Sequence, residues 1–204
     1  LKVEEGTPLF RMQSTLDLPD DDLQADMYLW AVACLAERGY AQYEISNFAK
    51  PGFASRHNLK YWLLEEYAGF GPGAHSDFGD VRYAYVRDLE GYCRGVTEGA
   101  DMIAENERIP PRKRDLEYLM LGLRLTRGIE KREFENRFRL PFAPIQAVLE
   151  RFRETGHAAQ TDGRWHLTPE GFLLSNQIIG QVLEALGQEK LRREKAAEAH
   201  DFRV

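Results

Sequence analysis

Cysteine is nearly missing from this chain of 204 residues: only Cys34 and Cys93 occur, far apart and in unrelated surroundings. That scarcity excludes a disulfide framework and gives no CxxC-type metal site. Each thiol is expected in a packing role, Cys34 filling a helix core and Cys93 partly buried. Long apolar runs are absent too, and none approaches the roughly 18 residues that a bilayer-crossing helix needs, so a soluble, cytoplasmic protein is the expectation. An excess of positive charge is also lacking. With 27 Lys and Arg against 33 Asp and Glu, the net charge is −6, which disfavours nucleic acid and anionic lipid as general partners. No internal repeat is present. An initiator Met is missing, and Leu1 to Pro8 reads as mid-domain sequence, as if an upstream part had been removed.

What is present is apolar content of 43%, enough for one sizeable domain or two small ones. After an extended opening, Leu18-Pro19-Asp20-Asp21-Asp22 brings acids to a helix N-terminus, where the macrodipole favours them. Leu23, Met27, Trp30, Ala31, Cys34 and Leu35 then recur at helical spacing, and Gly39 supplies a stop. This predicts an amphipathic helix packed on a sheet. Tyr40 to Phe48 reads as a strand that ends near Lys50-Pro51-Gly52, and helix followed by strand suggests an α/β repeat. Ser55 to Glu66 carries no clear period. Tyr67 to Phe70 reads as a short strand entering the glycine-rich Gly71-Pro72-Gly73-Ala74, and Gly79-Asp80 separates the arms Ser76–Phe78 and Arg82–Val86 of a hairpin. Leu89 to Glu98 predicts a helix that stops at Gly99, followed by a polar stretch.

Pro110-Pro111 marks the expected domain boundary, because paired prolines stiffen the chain and the rhythm changes after them. Beyond it the spacing predicts helices around Leu116–Leu123, over Lys131–Phe138 and around Ile145–Phe152, then a hairpin about Asp162-Gly163. Thr168-Pro169-Glu170 starts a last helix that runs to about Leu186. Three helices, a hairpin and a closing helix amount to a winged-helix-like arrangement. The predicted division is therefore residues 1–110, 111–187, and a charged tail over 188–204 that is a helical extension or frayed.

Three stretches carry candidate chemistry. Glu44, Ser46 and Asn47 offer an acid, a hydroxyl and an amide on one strand, for a ligand or for neighbouring loops. His57, Asn58, Tyr61 and Trp62 combine an imidazole and an amide with an aromatic wall, suited to a flat macrocycle or a base, or equally to packing. The glycines at 69, 71 and 73 let the backbone approach a ligand and expose N–H groups to a carboxylate, phosphate or nucleoside, or else form a tight corner. His75 follows that turn. In α/β sheets ligands sit at strand carboxyl ends, so the stretches could share one cleft. In the second region Arg112, Lys113, Arg114, Arg124, Arg127, Lys131 and Arg132 raise nucleic-acid binding, but acids interleave with them and the third helix offers the mixed set Glu150, Arg151, Arg153 and Glu154.

The run YEISNFAKPGFASRHNLKYW followed by GFGPGAHS resembles the oxygen-independent coproporphyrinogen III oxidase-like radical S-adenosylmethionine (SAM) proteins. The HNxxYW pattern resembles their heme-chaperone branch rather than the true oxidases, and the likeness extends to about Leu186. It implies an α/β fold made of the later part of an incomplete (β/α) radical-SAM barrel followed by a small winged-helix-like domain. It also implies heme as a guest, with His57 the candidate iron ligand and Asn58, Tyr61 and Trp62 beside it. Gly71, Gly73, Ala74 and His75 are implied to line the SAM pocket. The family's CxxxCxxC loop, which binds a [4Fe–4S] cluster, has no counterpart among these residues, so radical chemistry is not expected of the chain alone.

The resemblance favours a heme-binding and heme-delivery protein serving recipient hemoproteins. The alternatives are the coproporphyrinogen-decarboxylating oxidase and, from the second region, a winged-helix nucleic-acid-binding module. Half a barrel would leave an exposed edge, so self-association is expected.

Overall fold

The structure, a computed structural model, describes residues 3–201. The opening is not extended: Thr7 caps a short helix α1 (Pro8–Met12), its hydroxyl accepting the Phe10 N–H. Leu1 and Lys2 lie outside the described residues. Helix α2 (Asp21–Glu37) starts where the acids predict, with the Asp20 carboxylate accepting the Leu23 N–H at 2.8 Å and Asp21 and Asp22 in the first turn. The chain leaves the helix at Arg38, and Gly39 takes φ 79°.

The packing predicted for α2 is met only in its C-terminal half, where Ala31, Cys34 and Leu35 are half-buried. Leu23, Met27 and Trp30 are 50%, 55% and 69% exposed, and no residue of the helix is fully buried. Instead Gln24, Ala25 and Tyr28 face the body of the protein, across a cavity shared with Phe172 and Leu174. Apolar residues occur around most of this helix, so the spacing did not decide which face finds a partner. Cys34 is half-buried and its Sγ accepts from Arg38 Nη1 at 2.8 Å, whereas Cys93 is exposed rather than partly buried.

Tyr40–Phe48 folds as a hairpin and not as one strand. β1 (Ala41–Glu44) pairs antiparallel with β2 (Asn47–Ala49) through a turn at Ile45-Ser46. Helix α3 (Arg56–Trp62) follows, capped by Ser55 Oγ, which accepts the Asn58 N–H at 3.2 Å. The strand expected at Tyr67–Phe70 is reduced to one isolated bridge between Tyr67 and Asp77. β3 (His75–Phe78) and β4 (Val81–Tyr85) form the predicted hairpin, with Gly79 and Asp80 both at positive φ as a primed turn requires. Helix α4 (Leu89–Glu98) stops at Gly99, φ 71°, and leads to β5 (Ile103–Arg108), which pairs with β4. That strand lies in the stretch that reads as polar linker, because all six of its residues are exposed and none alternates. Every strand pair among the described residues is antiparallel; the parallel pairing of a barrel does not occur among them.

After Pro110-Pro111 come α5 (Asp115–Gly122), β6 (Ile129–Glu130), α6 (Lys131–Phe138), α7 (Ala143–Glu154), β7 (Ala158–Thr161), β8 (Arg164–Leu167), α8 (Pro169–Leu173) and α9 (Ser175–Asp201). The three strands order as β6-β8-β7, and Asp162 and Gly163 take the positive φ of the predicted turn. The last helix breaks at Leu174 and then runs to Asp201, well past Leu186, so most of the charged tail is helical; residues 202–204 lie outside the described residues. The main buried core belongs to this second region: Leu119, Phe134, Phe142, Ile145, Leu149, Trp165, Ile178 and Leu186 are fully buried. Each such side chain contributes about 1.5–3 kcal/mol by leaving water. Among the described residues of the first region, Tyr28, Ile45 and Leu64 pack against it, each partly buried.

The Leu23–Met27–Trp30 stripe is an apolar surface without cover among the described residues. Sedimentation over rising concentration is expected to show self-association, and the double variant M27S/W30S is expected to shift the protein toward monomer; a monomer at all concentrations in the parent chain contradicts this.

Candidate functional site

The hairpin turn between β1 and β2 is built around a carboxylate. Glu44 is fully buried, its Oε2 accepts the Ser46 N–H at 3.1 Å and its Oε1 accepts from the Asn47 side-chain amide. The backbone of the turn is stitched to the second region: the Ile45 N–H donates to the Arg124 carbonyl at 2.9 Å and the Thr126 N–H to the Tyr43 carbonyl at 3.2 Å. Tyr28 Oη donates to the Ile45 carbonyl and receives a bond from the Gln42 amide; burial raises its pKa, outweighing that amide. Glu44 is thus consumed in holding the turn. The acid, hydroxyl and amide do not converge on a ligand-facing row, since Ser46 and Asn47 are exposed and Glu44 points inward.

Helix α3 carries the imidazole-aromatic group. The four-residue spacing puts His57 and Tyr61 on one face, where His57 Nε2 and Tyr61 Oη are hydrogen-bonded at 2.8 Å and the rings stand edge to face at 5.1 Å. Both side chains are exposed, Tyr61 at 39%. Asn58 and Trp62 turn toward the protein. The Asn58 amide donates to Tyr43 Oη at 3.3 Å, which ties α3 to β1. Trp62 Nε1 is shielded from solvent yet has no hydrogen-bond partner, an arrangement that costs about 1–3 kcal/mol. The four residues therefore share one helix but divide into an outward pair and an inward pair.

The glycine turn is a corner whose N–H groups are already used. Gly69 N–H donates to Ser76 Oγ at 2.9 Å, Gly71 N–H to Tyr92 Oη at 3.0 Å, and Gly73 N–H to the Val86 carbonyl at 2.9 Å. The expectation that these donors face a ligand is corrected by that pairing. Glycine is needed at 69 for space, because a Cβ there would lie 2.2 Å from the His75 carbonyl oxygen. His75 is exposed at the start of β3, and Ala74 is half-buried.

The two candidate segments are linked through one tyrosine. The Tyr61 ring meets the Tyr67 ring at 4.5 Å, and the Tyr67 backbone exchanges two 2.9 Å hydrogen bonds with Asp77 on β3. Between them opens a cavity of about 320 Å³ bordered by Tyr61, Tyr67, Asp77, Arg82 and Glu117. Neither His57 nor the glycine turn lines it.

Sequence reasoning passes over Asp77 and reads Arg114 only as one of a cluster of cations, yet the two anchor this region. Arg114 donates to both Asp77 oxygens at 2.6 Å, Arg82 adds a 3.1 Å bond to Asp77, and Arg82 also forks onto Glu117 at 2.8 and 2.9 Å. Asp77 and Arg114 are each 6% exposed. Burial by itself would raise the Asp77 pKa, but the hydrogen bonds from Arg114 and then Arg82 outweigh it and hold the carboxyl below its usual value. The pair is separated by 37 positions, so no local pattern could reveal it. On α7, Arg153 pairs with Glu150 at 2.6 Å and Arg151 reaches Gln181 of α9. The helix placed for groove reading thus spends these charges within the protein.

Comparison with known proteins places these observations. The HemN C-terminal domain profile matches residues 109–174. The chain is 33% identical over 189 residues to the heme chaperone HemW of Bacillus subtilis, covering 91% of this chain and 50% of that protein. It is 35% identical to the HemW of Lactococcus lactis, covering 90% and 48%. Against the mouse mitochondrial radical S-adenosyl methionine domain-containing protein 1 it is 37% identical over 66% of this chain and 33% of that protein. The chain thus spans about half the length of the bacterial relatives it matches. Among solved structures it resembles coproporphyrinogen III oxidase (HemN) from Escherichia coli, with a TM-score of 0.61 and 18% identity over 85% of this chain and 44% of the other, a likeness of fold. The resemblance read from the sequence to the coproporphyrinogen oxidase-like proteins, on the heme-chaperone side, is borne out.

A carboxyl with a depressed folded pKa contributes stability that is fully present above its unfolded value, about 3.9, and that is lost as pH falls through the folded value. D77N leaves the buried Arg114 guanidinium without its anion and is expected to lower unfolding stability at pH 7 by about 3–5 kcal/mol. In urea titrations the gap between parent and D77N is expected to narrow below the ordinary carboxylate range; a gap that stays constant to pH 2 contradicts the assignment.

Proposed function

We propose that this chain is the C-terminal, heme-handling part of a heme-binding and heme-delivery protein related to the coproporphyrinogen III oxidases. The observation that carries this reading is the exposed His57–Tyr61 pair on α3, within the HNxxYW pattern of a chain similar to heme chaperones. A solvent-facing imidazole beside exposed aromatic surface fits a porphyrin held from one side. Heme, when bound, would supply an iron able to accept a neutral imidazole nitrogen. His57 would provide that nitrogen through Nε2, which Tyr61 now holds, so the Tyr61 hydroxyl must swing aside. Tyr61 would cover part of the macrocycle, Trp62 would join it only by turning out of the protein, and Asn58 keeps α3 seated on Tyr43.

In the same reading residues 1–110 are the later part of an incomplete barrel, and the exposed stripe of α2 faces its other elements. Residues 111–187 form the winged-helix-like domain, with 188–204 as an appended tail. Ala74 and His75, with Gly71 and Gly73, border the SAM site of the complete cytoplasmic protein, whose [4Fe–4S] cluster is held outside these residues. Because the glycine N–H groups are satisfied internally, contact to SAM falls to the His75 ring and the Ala74 methyl. Recipient hemoproteins are the partners.

Heme added to the purified chain is expected to give a Soret band that H57A weakens about tenfold or more at limiting heme, whereas Y61F, which frees Nε2, binds at least as well as the parent. An unchanged spectrum in H57A removes His57 as the ligand. Conversion of coproporphyrinogen by the complete protein would favour the oxidase instead.

A further inference from the structure

The concentration of unpaired cations on the second region is at odds with the acidic balance of the whole chain. A cavity of about 580 Å³ lies where the 3₁₀ turn Pro111–Lys113, the C-terminus of α6 and the later part of α9 meet. Arg112, Lys113, Arg139, Lys190 and Arg193 line it over an apolar floor of Phe138 and Leu140. Its only carboxylates are Asp115 and Glu194, and Asp115 is already paired with Lys190. Among the described residues the side chains of Arg112, Lys113 and Arg139 have no ion-pair partner, and the Arg193 guanidinium donates only to the Arg139 carbonyl, at 3.3 Å. The neighbouring hollow along α9 shares Arg139 and Arg193 and adds Arg192, but Glu135 and Glu189 leave it with one positive charge in excess, against three in the first. The positive potential is thus focused in one concavity of the size that small ligands fill.

We infer that this cavity binds a small ligand carrying two or more anionic groups of the phosphate or carboxylate type. Guanidinium groups suit such groups because they present paired N–H donors to two oxygens at once. The site is independent of the heme reading, since it shares no residue with α3 or the glycine turn. Arg139 offers a clean test. It sits at the C-cap of α6 with φ 58°, a conformation glycine adopts freely, so R139G removes the charge while easing the backbone.

The experiment is calorimetric titration of the full chain at low ionic strength with inorganic pyrophosphate and, separately, with citrate. One saturable site is expected for at least one probe, and which probe binds identifies phosphate or carboxylate as the recognised group. R112Q and R139G are each expected to weaken binding about tenfold, with melting temperatures at or above that of the parent. K131Q, a cation on α6 outside the cavity, is expected to leave affinity unchanged. No saturable binding by either probe, or an equal loss in K131Q, overturns the proposal, the latter by showing diffuse attraction to charge. Should R139G fail to fold, R112Q alone decides between the two outcomes.

Discussion

The Asp77 carboxylate receives two short hydrogen bonds from Arg114 and a third from Arg82, and through them the β3–β4 hairpin is locked onto the start of α5. Both members of the central pair are buried, so each is tolerable only because the other is there. Arg114 also donates to the Ile109 carbonyl at 3.3 Å, which fixes the chain as it enters Pro110-Pro111. The orientation of the first region against the second depends on this contact and on the strand-like seam between Tyr43–Ile45 and Arg124–Thr126.

The candidate heme helix hangs from the same framework. Asp77 pairs with the Tyr67 backbone, the Tyr67 ring abuts Tyr61, and Tyr61 holds His57. On its other side Asn58 reaches Tyr43, next to the buried Glu44 of the β1–β2 turn. Short and marginal by itself, a seven-residue helix needs such tertiary ties to hold an imidazole in one place. The orphaned Trp62 Nε1 belongs to this same element, so the segment proposed for function is also the one that departs from full polar satisfaction.

Two surfaces of opposite character follow from the fold. The first region turns Leu23, Met27 and Trp30 outward along α2, while the second gathers guanidinium groups around Phe138 and Leu140. The second region encloses the main core. The first has short antiparallel sheets of two and three strands, too little surface to bury a 17-residue helix whose apolar residues are spread around it rather than gathered on one face.

Local chemistry alone determined much of the chain: the acids at Asp20–Asp22, the turns at Gly79-Asp80 and Asp162-Gly163, the stop at Gly99 and the helix over Lys131–Phe138 are written in capping, positive-φ and periodicity rules that act within a few residues. The motif residues of α3 were likewise readable as a group. Tertiary structure alone decided the rest. It split Tyr40–Phe48 at the Glu44 turn, made a strand of the fully exposed Ile103–Arg108, closed the glycine N–H groups onto Ser76, Tyr92 and Val86, and brought Arg114 to Asp77. Those outcomes are set by partners tens of residues away, and a hydrogen bond or ion pair between distant positions leaves no period in the sequence.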